Sequence, residues 1–147
     1  MEKLLERIKH HEGYRSKVYK CTEGYDTIGY GFAIKDLELE EDICEEILLR
    51  KINKLGRRVM SRFPFFDSLP VDCKDVLMEM SFQLGVTGVS KFKKALKAME
   101  DSDWEKAADE MLDSKWAKQT PNRAKGLRDI VRSLHEKKSS KKGNSNT

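Results

Sequence analysis

Cysteine is scarce in this 147-residue chain, which holds only Cys21, Cys44 and Cys73. An odd, scattered set makes no disulfide framework, and no Cys-x-x-Cys or Cys-x-x-His pair offers a zinc site. Long apolar runs are missing too. Stretches such as Ile47-Leu48-Leu49 fall far short of the ~20 residues that cross a bilayer. The N-terminus, Met1 to Arg7, lacks the apolar core of a secretory leader, so synthesis in a reducing cytoplasm is expected. His10-His11-Glu12 is not a His-Glu-x-x-His motif and His135 is remote, so no metal site is expected. Gly24, Gly29 and Gly31 form neither a dinucleotide fingerprint nor a Walker loop, and read as turns and close backbone packing. No Gly-x-Ser-x-Gly nucleophile elbow occurs. Nothing calls for a cofactor.

An excess of one charge is absent over most of the chain. The net charge of +4 comes from 29 Lys and Arg against 25 Asp and Glu, and Lys137, Lys138, Lys141 and Lys142 account for all of it. Residues 137–147, rich in Lys, Ser, Gly and Asn, cannot bury a core and are expected to form a basic flexible tail. Such a tail is either a plain solvated terminus or a weak attractant for an anionic surface, nucleic acid or cell envelope.

What is present is a polar, soluble composition with enough length for one domain and a hydrophobic core. Residues 2–11 read as an amphipathic helix with Leu4, Leu5 and Ile8 on one face. Residues 14–34 alternate β-branched and aromatic side chains with Gly24, Gly29 and Gly31, the pattern of a small antiparallel sheet. From Glu38 to about Arg62, Ile43, Ile47, Leu48, Ile52, Leu55 and Val59 recur at helical steps. Acids crowd the start of this stretch and bases its end, which complements the helix dipole. Beyond Pro64 the pattern gives short helices: Val71–Leu84, ended by Gly85 and Gly88; one near Ser90–Met99; one opened by a Ser102-x-x-Glu105 capping box; and one with Thr120 as N-cap and Pro121 at its first position, burying Ala124, Leu127, Ile130, Val131 and Leu134. The expectation is a mostly helical α+β fold. Residues 1–60 form an N-terminal lobe, with a three-stranded sheet, and a long connecting helix; residues 61–136 form a helical C-terminal lobe. A cleft between lobes would suit an extended ligand.

The segment Glu12 to Gly31 holds the residues best suited to chemistry. Glu12 stands where helical periodicity ends and strand periodicity begins, and Cys21 and Thr27 lie on the sheet or its turns. A carboxyl, a thiol and a hydroxyl thus converge near one hairpin. Residue chemistry alone leaves a second reading open, in which Glu12 is solvated and Cys21 is a small buried apolar residue.

The same residues resemble the active-site segment of the phage lysozymes, the muramidases of glycoside hydrolase family 24. That family carries Glu, eight residues, Asp or Cys, five residues, then Thr, as Glu12, Cys21 and Thr27 do here. Phe82-Gln83-Leu84-Gly85-Val86-Thr87-Gly88-Val89 and the stretch Trp104 to Ala124 are similar to the T-even phage lysozymes in particular. The resemblance spans most of residues 4–134 and implies a lysozyme-like fold.

It also implies roles. Glu12 would be the general acid that protonates the leaving glycosidic oxygen, and Thr27 would orient the attacking water. Cys21 takes the place usually held by Asp on the opposite face of the sugar, as a thiolate base or nucleophile with Lys20 and Arg15 as tuners. Tyr19, Glu23, Phe82 and Gln83 would lie along the glycan site, and Arg123 would pair with Glu12. Ala33, Ala95 and Glu110 stand where the T-even enzymes contact substrate, and Phe32 replaces the usual His. The expected substrate is bacterial peptidoglycan, cut between N-acetylmuramic acid and N-acetylglucosamine during phage-induced lysis. A monomer held in the host cytoplasm would reach the wall once a holin opens the membrane, with no membrane insertion of its own and no specific nucleic acid. Three other readings compete: a glycan-binding module that does not cut, a lytic transglycosylase that needs only the Glu, and nucleic-acid binding through the Lys tail.

Overall fold

The computed structural model describes residues 1–144, with side-chain surroundings through Lys137. Helix α1 (Glu2–Glu12) leads into strands β1 (Arg15–Lys20), β2 (Asp26–Gly29) and β3 (Phe32–Ala33). Then come α2 (Glu41–Arg62), α3 (Val71–Ser90), α4 (Lys93–Glu100), α5 (Trp104–Leu112), α6 (Lys115–Gln119) and α7 (Pro121–Asn144). The mostly helical α+β class read from the sequence is the observed one. No helix among the described residues is long and apolar enough to cross a membrane.

The chain divides into two compact units between Glu46 and Ile47, inside α2. The second half of α2 is anchored by Val59, which is fully buried in the helical core.

In the first unit the strands pair antiparallel in the order β1-β2-β3. Gly13, at φ 72°, stops α1 and turns the chain into β1, with its N–H on the Lys9 carbonyl at 2.9 Å. A five-residue loop, 21–25, joins β1 to β2 and is closed by Lys20–Asp26 at 2.7 Å. Thr27 is the one buried residue of this unit. Leu4, Leu5 and Ile8 form the expected face of α1, but that face stays about half exposed, as does Ile43 in the first turn of α2. An amphipathic period fixes the helix; a unit of this size has little apolar mass to cover it.

The second unit carries the core. Cys73, Val76, Leu77 and Met80 of α3 are buried with Trp104, Ala107, Ala108 and Met111 of α5, and with Ala124, Leu127, Val131 and Leu134 of α7. Burial pushes the Cys73 thiol up to about 12, so it behaves as a small apolar residue. α3 bends only at Gly85 (φ 78°, ψ 157°), a conformation open essentially to glycine, whereas Gly88 stays helical.

Three expectations are corrected. The cap of α5 is Asp103, whose carboxylate accepts the Lys106 N–H at 3.3 Å, and not Ser102, which sits at φ 58°. Ile130 is exposed rather than buried, because it falls off the stripe set by Ala124, Leu127, Val131 and Leu134. The helix of α7 continues through the first part of the expected tail to Asn144, consistent with the fair helix propensity of its lysines. Lys137 at its root pairs with Asp72 at 2.8 Å. Residues 145–147 of the tail lie outside the described residues.

Candidate active site

Antiparallel pairing sets Thr27 opposite Tyr19 on one side and opposite Ala33 on the other. Directly paired residues share a face of the sheet, so three of the expected site residues form one row. Thr27, at the centre, is 3% exposed, and its Oγ1 donates to the Tyr25 carbonyl at 2.9 Å. Tyr19 is half-buried under the guanidinium of Arg15, 4.6 Å from its ring centre.

Cys21 begins the loop between β1 and β2. Its N–H donates to the Tyr25 carbonyl at 3.0 Å, and its own carbonyl accepts the Gly24 N–H at 2.9 Å. This tight turn presents backbone N–H groups to the sulfur. The Cys21 thiol is lowered from its ordinary value of 9.0, chiefly by the Tyr25 and then the Glu23 backbone N–H. Partial burial opposes the shift, the Thr27 hydroxyl supports it, and the Glu23 carboxylate opposes it again. Hydrogen bonds to the charged form favour the thiolate without any cation. Lys20 and Arg15, expected as tuners, are engaged with Asp26 and Tyr19 instead. The Thr27 hydroxyl has one hydrogen, now on the Tyr25 carbonyl; ionisation of Cys21 gives it a stronger acceptor.

Glu12 is the last residue of α1 and is exposed. Its carboxyl lies against the backbone of Gly31, in the turn between β2 and β3. A Cβ on Gly31, which has φ +73°, would run into Glu12 Oε2 and come within 3.1 Å of Cδ. Glycine at 31 therefore serves both the backbone angle and the seat of the carboxylate. Phe32, in place of the expected His, stacks edge-on against Tyr30 at 6.4 Å and makes no ion pair.

In the second unit, Ala95 and Glu110 line one cavity of about 570 Å³ together with Phe92, Ser114 and Trp116. Ala95 is only 2% exposed, so it shapes the floor and has no polar group to offer. Gln83 accepts the indole N–H of Trp116 at 2.9 Å and donates to Thr120 Oγ1 at 3.4 Å. The Thr120 hydroxyl in turn donates to the Trp116 carbonyl at 3.1 Å. Sequence reasoning named Gln83 but not Trp116; a buried tryptophan needs a partner for its N–H, and that was the available signal. Phe82 is about half exposed. Arg123, expected beside Glu12, donates from Nε to Glu79 Oε2 at 2.8 Å.

The chain as a whole is similar to known proteins. A family model described as phage lysozyme matches residues 9–136. The chain belongs to the phage lysozyme family. With membership comes the enzyme class, a lysozyme-like peptidoglycan hydrolase. Two relatives from Dictyostelium discoideum, named probable T4-type lysozymes 1 and 2, are 30% and 32% identical over 87% and 82% of this chain and 92% and 88% of their own lengths. The pre-baseplate central spike protein Gp5 of Enterobacteria phage T4 is 32% identical over 87% of this chain but only 27% of its own, so the likeness covers one part of a longer protein.

Proposed function

We propose that this lysozyme cleaves the β-1,4 bond between N-acetylmuramic acid and N-acetylglucosamine, with Glu12 as general acid. Glu12 gives its proton to the leaving oxygen as the glycosidic bond breaks. The Cys21 thiolate takes a proton from the attacking water, which Thr27 helps to orient, and the water oxygen bonds to the anomeric carbon. Tyr19, Glu23 and Ala33 contact glycan in the first unit; Phe82, Gln83, Ala95, Glu110 and Arg123 do so in the second. The domain responsible is residues 1–136.

The observation that carries this reading is Cys21: a thiol lowered by backbone N–H groups, beside the Thr27 hydroxyl. A thiol of ordinary pKa would be mostly neutral at pH 7, a poor base and a poor partner for an oxocarbenium-like centre. Support also comes from Glu12, whose carboxyl has a built seat on Gly31.

The test is release of reducing ends from purified peptidoglycan by wild type, Glu12→Gln and Cys21→Ser. Each substitution is expected to cost about 10²-fold or more, as for loss of a positioned acid or base. Full activity of Cys21→Ser would make the thiol dispensable, and full activity of Glu12→Gln would end the mechanism. We assign the biological role to phage-directed lysis by a monomer, released from the host cytoplasm through a holin. Expression in the bacterial cytoplasm should then lyse cells only when a membrane-permeabilising protein is co-produced.

A further inference from the structure

Two adjoining depressions lie in the second unit between the C-terminal half of α2 and the bend of α3, and share no lining residue with the cavity at Ala95 and Glu110. The larger, about 820 Å³, is bordered by Lys54, Arg57, Arg58 and Arg62. The smaller, about 390 Å³, adds Lys51 and Ser81, and the two share Lys54, Arg58 and Val86. Among the described residues, five cations border this groove and no carboxylate does. None of the five has an ion-pair partner among the described residues, whereas Lys20, Lys97, Arg123 and Lys137 each face an acid.

A second, independent feature marks the floor. Ser81 is 1% exposed, and its hydroxyl has no hydrogen-bond partner among the described residues. A buried serine in a helix commonly donates to the carbonyl one turn back. This one lines the smaller depression with its hydrogen uncommitted. A buried hydroxyl without a partner costs stability unless a ligand atom accepts from it.

We propose that this groove binds a linear phosphodiester polymer of the bacterial envelope. Lys51, Lys54, Arg58 and Arg62 follow at steps of three, four and four, one stripe of α2. At 1.5 Å per residue the stripe is about 16 Å long, room for more than one phosphate of a thin chain. The guanidinium forks of Arg57, Arg58 and Arg62 match phosphate oxygens in pairs, and Ser81 donates to a phosphoryl oxygen below them. Nucleic acid fits less well, because Phe82 is the single aromatic in the lining among the described residues and successive bases lack a stacking platform. A lipid surface fits less well, because Val86 is buried and Leu55 half-buried, leaving the Phe82 ring as the main exposed apolar side chain of the described lining. Binding here holds the enzyme on the wall independently of catalysis. The envelope as source rests on the hydrolase reading above; the groove's chemistry does not.

The experiment titrates the full chain with glycerol-phosphate oligomers, alongside inorganic phosphate, oligothymidylate and phosphatidylglycerol vesicles. The oligomer is expected to bind saturably, more tightly than the other probes, with affinity falling as salt rises. Arg57→Gln with Arg58→Gln should weaken it by about tenfold or more, with reducing-end release from phosphate-free peptidoglycan unchanged. Ser81→Ala should weaken binding while raising the melting temperature. Absence of saturable binding, unchanged affinity in both variants, or tighter binding of oligothymidylate or vesicles overturns the proposal. In the wild-type chain, hydrolysis without oligomer binding refutes the groove alone, and oligomer binding without hydrolysis refutes the catalytic reading alone.

Discussion

The seat of Glu12 gives the most discriminating perturbation, Gly31→Ala. Gly31 has φ +73°, and an added Cβ would meet Glu12 Oε2 and crowd Cδ at 3.1 Å and Cγ at 3.6 Å. Two effects follow, on different scales. The left-handed backbone angle costs a non-glycine residue about 1–2 kcal/mol of stability, a tolerable fraction of the 5–15 kcal/mol typical of a domain. The collision moves the carboxyl by an amount on the order of 1 Å, and a displacement of that size costs about 10²-fold in rate. Folding loss and activity loss are therefore separable: denaturant unfolding measures the first, and reducing-end release well below the unfolding midpoint measures the second. The double variant supplies the control. If Gly31→Ala acts by displacing Glu12, adding it to Glu12→Gln should cost little further activity, since the group it displaces no longer donates a proton. A folded Gly31→Ala enzyme with full activity would refute the argument. So would a full additional loss in the Glu12→Gln background.

Other consequences are as direct. Activity should rise with pH as Cys21 ionises, below the ordinary thiol range, and Thr27→Val should move that limb to higher pH, because a contact that lowers the Cys21 pKa is lost; a limb that stays put or moves down contradicts this. Burial raises Cys73 from 9.0 to about 12, so its contribution to stability is intact below pH about 9 and is lost as pH climbs toward 12, where the unfolded thiol ionises first; chemical denaturation should show a shallower alkaline decline for Cys73→Ala than for wild type. Gln83→Leu leaves the Trp116 N–H unpaired at a buried site and should cost about 1–3 kcal/mol of stability. Asp103→Ala should cost about 1 kcal/mol through the cap of α5, whereas Ser102→Gly, at φ 58°, should be neutral or stabilising.

Much of this was legible in the residues. The glycines among aromatic and β-branched side chains gave the sheet, and the four-and-three rhythm from Ile43 to Val59 gave α2. The Glu12, Cys21, Thr27 spacing picked out three groups that belong to one small unit, with Cys21 and Thr27 in contact. Other features depend on geometry that spacing does not carry. What lowers Cys21 is a pair of backbone N–H groups in a turn; sequence shows cations such as Lys20 and Arg15 but not where amides point. Ser102 and Asp103 are both good caps in composition, and only the backbone angles choose Asp103. The apolar stripe of Leu4, Leu5 and Ile8 gives a helix but not its cover. The orphan hydroxyl of Ser81 is silent in sequence, where a serine within an apolar helix reads as ordinary.

Mass spectrometry of peptidoglycan fragments tests the central claim most directly. Hydrolysis with Glu12 as acid and Cys21 as base predicts muropeptides ending in hydrated, reducing N-acetylmuramic acid, absent from the Glu12→Gln digest. Anhydro-muramyl ends, or glycan left intact by a wild-type enzyme that still binds it, would contradict it.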